Sequence, residues 1–535
     1  MNPYRVLSSA LMTMVLWTAP VTAQGIDVAR EALDLAPDPI LRSPRLLGMG
    51  RLTLAADANN RITLWDFAAH PTGVLEDDSV STLEFRPGTS SASSVHDVFT
   101  SGAARERQDL ALRENRLGFE AWRRAETIAY GFAGDISTLR LDQPTSDQFE
   151  RRSQFRQPAV MGVLNGRMPR IQSDRLRYAL RILYANEQQV DQYRTFFQTP
   201  SGEYIDNRGE IVGPPDAFIP DERRTQTLGG GIALAYRFGS SLTAALGTDF
   251  TSSTIDAENS GPRHASEIRE NRPYTIGQAT LIGRVGPSFE WGADGRAWRS
   301  SSEQSWAFTL SSGIGLVPFS GRGKLLDRQE EGSRMRTRAR WRAGSIELGA
   351  GFNTAYREIK TLPPAADDRT SFNHFRNTSS FLSGTDSLSF PDSVSENRSE
   401  ERTWEIVVGG SWQPRPRTTV GIEYRKLEDR LDQLRSGAGP LRKLWDARGG
   451  LEHPLTEVLD GRLGYVYRVD DRDDFTRNNE FISHTVTLGA GLHPAQSSWT
   501  IEAGYAIEWL QPDYGDPGGP RESRQQLSTQ VHWAF

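Results

Sequence analysis

Apolar and polar residues alternate along much of this chain, and the alternation is its dominant pattern. From about Arg113 onward it recurs segment after segment. The clearest examples are Leu176-Tyr178-Leu180-Ile182-Tyr184, Leu228-Gly230-Ile232-Leu234-Tyr236-Phe238, Trp404-Ile406-Val408-Gly410-Trp412 and Leu463-Tyr465-Tyr467-Val469. Ile482-His484-Val486-Leu488-Ala490-Leu492 and Trp499-Ile501-Ala503-Tyr505-Ile507-Trp509 continue the series. A period of two puts one apolar face on each strand. Most segments are roughly ten residues long, which suits a tilted strand crossing a bilayer. Tyr and Trp gather toward their ends, where an amphipathic ring fits between hydrocarbon and water.

The connections sort by length. Working back from the carboxyl terminus, Gln511–Gln525 is long, Pro494–Ser498 short, Asp470–Glu480 long, Pro454–Glu457 short, Asp429–Pro440 long and Gln413–Arg417 short. Thr361–Arg402 is the longest, and Ala343-Gly344-Ser345 is tight. Bacterial outer-membrane barrels have short periplasmic turns and long external loops, whereas a soluble sandwich has no reason to sort its loops this way. The alternation predicts an all-β fold, a transmembrane antiparallel up-and-down β-barrel. Between Pro318 and Arg342 the pattern holds only if a weak strand passes near Lys324–Arg328. Counting it gives about 20 strands, merging doubtful pairs gives about 14, and the number is expected to be even.

The last ten residues, Gln526 to Phe535, carry Leu527, Thr529, Val531, Trp533 and Phe535 on one face and Gln526, Ser528, Gln530, His532 and Ala534 on the other. This ending resembles the terminal strand of bacterial outer-membrane barrels, which the assembly machinery of that membrane recognises. The resemblance implies that Trp533 and Phe535 act as the assembly signal, with outer-membrane lipid and that machinery as partners. At the other end, Met1–Arg5 is basic, Val6–Trp17 is mostly apolar, and Val21-Thr22-Ala23 precedes Gln24 like a small-residue cleavage site. Residues 1–23 are therefore expected to be an export signal, since about a dozen apolar residues are too few for a spanning helix. Residues 24–105 are expected to form an amino-terminal plug-like segment, with a first strand at Ser79–Phe85, and residues 106–535 the barrel with its external loops.

Composition is compatible with this picture. Mean hydropathy is −0.54, as expected when only every second residue faces lipid. With no cysteine in the chain, lipid attachment at a mature amino-terminal Cys, disulfides, thiolate metal sites and cysteine nucleophiles are all excluded. Lys and Arg (62) nearly balance Asp and Glu (68), which gives nucleic-acid binding no support. The eight histidines are scattered, with no two at metal-ligand spacing on one element. No catalytic residues, metal site or cofactor is expected, and the chain does not read as an enzyme.

Two groups of residues are candidates for function. Gly48-Met49-Gly50, then Ala55-Ala56-Asp57-Ala58-Asn59-Asn60, then Leu64-Trp65-Asp66-Phe67-Ala68 resemble the amino-terminal hatch of the long-chain fatty-acid transporter superfamily. Asp66-Phe67-Ala68 stands where that superfamily has Asn-Pro-Ala. The resemblance covers roughly 30 residues and the overall architecture. It implies a lumenal plug in which Gly48, Gly50, Asp57, Asn59, Asn60 and Asp66 take part, and diffusion of hydrophobic molecules; an ordinary loop-rich entrance segment is the other reading. The second group is Arg334, Arg336, Arg338, Arg340 and Arg342, all on one face of a strand, with Arg175, Arg177 and Arg181 similarly placed on another. A cation facing lipid near the midplane costs ~2–4 kcal/mol, so these must line the interior, or the segment lies partly outside the membrane. They either attract an anionic solute or pair with lumenal carboxylates such as Glu347. The expected function is a channel or transporter for small hydrophobic or amphiphilic, possibly anionic, molecules in the bacterial outer membrane. The alternative is a non-transport barrel, a secretion-system partner or surface-binding scaffold, with the Thr361–Arg402 loop as its working surface.

Overall fold

A bilayer offers backbone groups no water, so a sheet within it must have no edge. The computed structural model shows how this chain meets that condition. It describes residues 43–52, 81–99, 105–125, 128–146, 149–167, 175–195, 197–198, 204–205, 211–212, 219–260, 264–310, 319–362, 397–433, 441–474, 477–512 and 521–534. Strands run in chain order from β1 (Thr82–Phe99) through β2 (Arg105–Arg124), β3 (Ile128–Ser146), β4 (Phe149–Arg167) and β5 (Leu176–Thr195). Three two-residue strands, β6 (Phe197–Gln198), β7 (Tyr204–Ile205) and β8 (Ile211–Val212), form a separate small sheet. The wall resumes with β9 (Ile219–Phe238), β10 (Leu242–Ser260), β11 (His264–Val285), β12 (Phe289–Leu310), β13 (Phe319–Ala343) and β14 (Ile346–Leu362). It is completed by β15 (Asn397–Arg415), β16 (Thr418–Gln433), β17 (Leu441–Pro454), β18 (Leu459–Asp474), β19 (Arg477–Leu492), β20 (Trp499–Pro512) and β21 (Arg521–Ala534).

Each strand of the wall pairs antiparallel with its neighbours, and β21 closes on β1, giving a barrel of 18 strands. The even number and the up-and-down order agree with expectation. The first strand starts at Thr82 and reaches Phe99, so the barrel begins inside the stretch assigned to the plug-like segment, before residue 106. The weak strand near Lys324–Arg328 and the arginine-rich segment after it are one 25-residue strand, β13.

Strands exceed the ten residues expected. Those of the wall run from 14 to 25 residues, and stretches read as loops, such as Asp470–Glu480, are mostly strand: β18 reaches Asp474 and β19 starts at Arg477. The reason is that beyond the lipid belt both faces of a strand meet water, so alternation there has no apolar signature. The short turns stand as expected at Gly344-Ser345, Pro416-Arg417, Leu455–Val458 and His493–Ser498. Gly344 takes φ +60°, a left-handed conformation that a two-residue hairpin needs and that Gly adopts at no steric cost. The ladder skips Pro87 between β1 and β21, Pro158 between β4 and β5, and Pro273 between β11 and β12. Proline has no N–H to give, and in each case the ladder on the other side of the strand is intact.

The predicted alternation is the lipid face. Ile182, Leu228, Leu246, Ile422 and Leu463 are 52–69% exposed on the outside, while their neighbours in sequence Arg181, Thr227 and Arg462 are buried within the wall. On β21, Leu527, Val531 and Trp533 point outward and Gln526, Ser528 and His532 inward; Phe535 lies outside the described residues. A closed antiparallel barrel with a continuous outer apolar belt is an outer-membrane protein.

Lipid exposure and water exposure can be told apart by one charge. Ile182, between the lipid-facing Tyr178 and Tyr184, is 69% exposed, and Leu455 in a short turn is 63% exposed. Ile182→Arg should lower folding stability by ~2–4 kcal/mol in lipid vesicles, and Leu455→Arg by no more than about 0.5 kcal/mol. Denaturant titrations of both variants check this.

Candidate functional site in the barrel lumen

Residues 43–52 lie inside the barrel against β17–β21. Ser43 caps a one-turn helix, α1 (Pro44–Gly48), its Oγ accepting from the Leu46 N–H at 3.3 Å, with Pro44 at the first helical position. Leu46, Leu47, Met49 and Leu52 are at most 1% exposed. What lets this backbone approach the wall is a patch of inward-facing glycines. A Cβ on Gly464 would come within 2.0 Å of the Gly50 nitrogen, one on Gly450 within 2.2 Å of the Met49 oxygen, and one on Gly504 within 2.4 Å of the Pro44 oxygen. Gly489 meets Gly48 in the same way, and Gly50 itself takes φ +73°.

Polar contacts fix the register of that docking. The Gly50 N–H donates to Thr487 Oγ1 at 2.9 Å, and the same hydroxyl donates to the Gly48 carbonyl at 3.0 Å. Arg448 Nη1 donates to the Arg51 carbonyl at 2.7 Å. Arg45 grips Glu452 through Nη2 (2.6 Å) and Nε (3.0 Å), and Arg462 Nε shares that carboxylate at 2.8 Å. Arg51 is 3.7 Å from Glu508. Of the hatch residues expected from sequence, Gly48 and Gly50 are in this contact; Asp57, Asn59, Asn60 and Asp66 lie outside the described residues. Arg45, Arg51, Glu452 and Thr487 were not anticipated. Their signal was present in the glycines at inward positions of adjacent strands, where a strand gains nothing from Gly unless another backbone comes close.

Arg334, Arg336, Arg338, Arg340 and Arg342 sit on the inner face of β13, opposite the lipid-facing Met335 and Trp341. Arg336 reaches Asp294 on β12 at 3.0 Å, and Arg340 and Arg342 both reach Glu347 on β14 at 2.9 Å. Arg334 and Arg338 share the face, and each has contacts of its own. Glu347 is the carboxylate that the sequence pointed to. Arg181 is likewise paired, with Asp249, and Arg177 is buried beside it. The same interleaving of signs continues around the wall through Arg425–Glu405, Arg448–Asp446 and Arg468–Glu508.

The inner wall also carries apolar side chains. Trp122, Met161, Val163, Leu183, Tyr274, Ile276 and Trp298, with small alanines between them, form one buried cluster. These side chains come from β2, β4, β5, β11 and β12, and alternate with the outward lipid-facing residues on the same strands. Apolar side chains on both faces of a strand break the in/out rule of a water-filled pore. On the same inner face they are interleaved with buried charges such as Glu120, Arg181 and Arg296, so apolar and charged side chains share this part of the wall.

No family model matches the sequence, and no curated protein matches it either. Among solved structures, the chain is similar to the ferric yersiniabactin uptake receptor FyuA from Yersinia pestis (9% identity, 86% of this chain and 81% of that one, TM-score 0.41). It is also similar to the Pseudomonas putida toluene transporter TodX (10% identity, 91% and 96%, TM-score 0.34) and to a Pseudomonas aeruginosa FadL homologue (12% identity, 85% and 90%, TM-score 0.32). Receptor-type and channel-type barrels match alike, so the fatty-acid transporter superfamily is not singled out.

The buried charges around Arg45 should behave as one unit. Glu452→Gln leaves Arg45 and Arg462 without their shared carboxylate, and should cost about 3–5 kcal/mol. Adding Arg45→Met should recover part of that loss, giving a coupling of about 0.5–3 kcal/mol in a double-mutant cycle. Unfolding titrations of the two single variants and the double variant measure it.

Proposed function

We propose that this barrel is an outer-membrane channel for the passive movement of small hydrophobic or amphiphilic molecules, with the Ser43–Leu52 segment as part of a plug in its lumen. The observation that carries the reading is the buried apolar cluster on the inner wall. Apolar surface inside a membrane barrel is costly to wet, and it suits a solute that has apolar surface to place there. The charged side chains interleaved with it keep water and polar groups solvated, so a solute with both characters fits the wall. The sequence resemblance to the hatch of the long-chain fatty-acid transporter superfamily supports the same class of cargo. Docking of residues 43–52 on the inner glycines narrows the passage beside β17–β21.

Two measurements on reconstituted protein test this. Liposomes carrying the barrel should take up a fluorescent amphiphile faster than empty liposomes, and a small neutral sugar no faster. Equal rates for the amphiphile with and without protein would overturn the transport reading. Separately, Gly464→Leu places side-chain atoms where the Gly50 backbone lies, and should dislodge the segment. A heat-modifiable, inserted variant with raised single-channel conductance is expected. Unchanged conductance would mean that residues 43–52 do not restrict the passage.

A further inference from the structure

The arginine row of β13 does not end at Arg334. Continuing along the same inner face, past Gly332, come Glu330 and Arg328. There the outward-facing neighbours are polar and exposed, Gln329 on β13, Asn271 on β11 and Gln226 on β9, which puts this level beyond the lipid belt, in the half of the barrel away from the short turns. Three arginines from alternate strands face the lumen here: Arg223 from β9, Arg272 from β11 and Arg328 from β13. Each lies within electrostatic reach of the other two. Arg272 lies where the β11–β12 ladder opens, beside Pro273.

Their surroundings differ from those of the row nearer the turns. Arg272 is held by Glu270 through Nε and Nη2, the second contact at 2.6 Å, and Ser302 Oγ donates to the same carboxylate at 2.6 Å. Glu330 accepts from Arg328 Nη2 at 3.1 Å, from Arg357 Nε at 3.0 Å and from Tyr274 Oη at 3.2 Å. Both carboxylates are thus engaged several times over, and they fix the guanidinium groups in place. Among the described residues, three buried donors remain with no acceptor: Nη1 of Arg272, Nε of Arg328 and Nε of Arg223. Arg272 is 3% exposed and Arg328 9%. Glu187 on β5 is the remaining carboxylate in the field of Arg223.

A guanidinium N–H withdrawn from water without an acceptor is costly, and a charge-assisted bond to an oxyanion is the strongest remedy available to it. Like charges brought together on rigid strands make the site costlier still when empty of counter-charge. We infer that Arg223, Arg272 and Arg328 form an oxyanion-binding site inside the barrel, which takes the carboxylate or phosphate group of a solute. The site does not depend on the transport reading, because occupancy is an equilibrium property. It also relocates the anion attraction expected of Arg334–Arg342, where Arg336, Arg340 and Arg342 already have carboxylates.

Equilibrium binding to the purified full-length barrel in an uncharged detergent, at low ionic strength, tests it. Inorganic phosphate and acetate are titrated separately by calorimetry, with chloride as the control, so that the two arms distinguish phosphate from carboxylate. Saturable binding of at least one of them is expected. Arg223→Gln, which strands no ion-paired carboxylate, should weaken that binding at least about tenfold, and Arg328→Gln should do the same. Arg342→Gln, on the same wall nearer the turns, should leave it unchanged. Absence of saturable binding to both probes would overturn the proposal. So would wild-type affinity in a folded Arg223→Gln protein, or an equal loss in Arg342→Gln.

Discussion

Everything in this structure depends on the backbone having no unpaired edge inside hydrocarbon. Closure of β21 on β1 meets that requirement for the whole sheet at once, and the strand period then dictates the rest. With every strand carrying side chains alternately to lipid and lumen, a residue's parity decides its solvent. Leu463 and Arg462 are adjacent in sequence, yet one faces hydrocarbon and the other sits in a network with Glu452 and Glu502. A one-residue slip in register would exchange these environments along an entire strand. The cost of such a slip, repeated over the paired charges of the wall, is what makes the register specific.

The inner wall illustrates how a barrel can carry many ionised side chains without unfolding. Carboxylates and guanidiniums alternate around the inner face, so each strand supplies the counter-charge for its neighbours, as Asp294 and Glu347 do on either side of β13. The docked segment extends this principle rather than adding a new one. Arg45 and Arg51 bring their charges to carboxylates that the wall already presents, Glu452 and Glu508. Glycine on both sides then allows backbone to meet backbone at distances no side chain would permit.

How much of this was legible in the sequence depends on how many solvents each residue meets. Where one face met lipid, as at Leu180-Ile182-Tyr184, the alternation was plain and the strand was read correctly. At Asp470–Asp474 the sequence carries no apolar alternation, and strand was read as loop. The inward arginines were legible because a cation cannot face hydrocarbon, and Glu347 because it follows them across a tight turn. The Arg45–Glu452 pair was not legible, since its members are separated by most of the chain and meet only when the barrel is closed. The clustering of Arg223, Arg272 and Arg328 was hidden for the same reason: each comes from a different strand, and none stands out alone. Apolar lumen residues such as Leu183 were masked by lying beside outward apolar ones, which made their segments look merely hydrophobic.

The overshoot of the strands gives the barrel a reach that its lipid belt alone does not suggest. The 25 residues of β13 at ~3.3 Å each, tilted by about 40°, rise ~60 Å, of which the apolar belt takes only ~25 Å. Some tens of ångströms of sheet therefore stand clear of the hydrocarbon on one side. A collar made of paired strands holds its shape, unlike a crown of loops, and it is lopsided, tall at β13 and low at β17, β20 and β21 with 14 residues each.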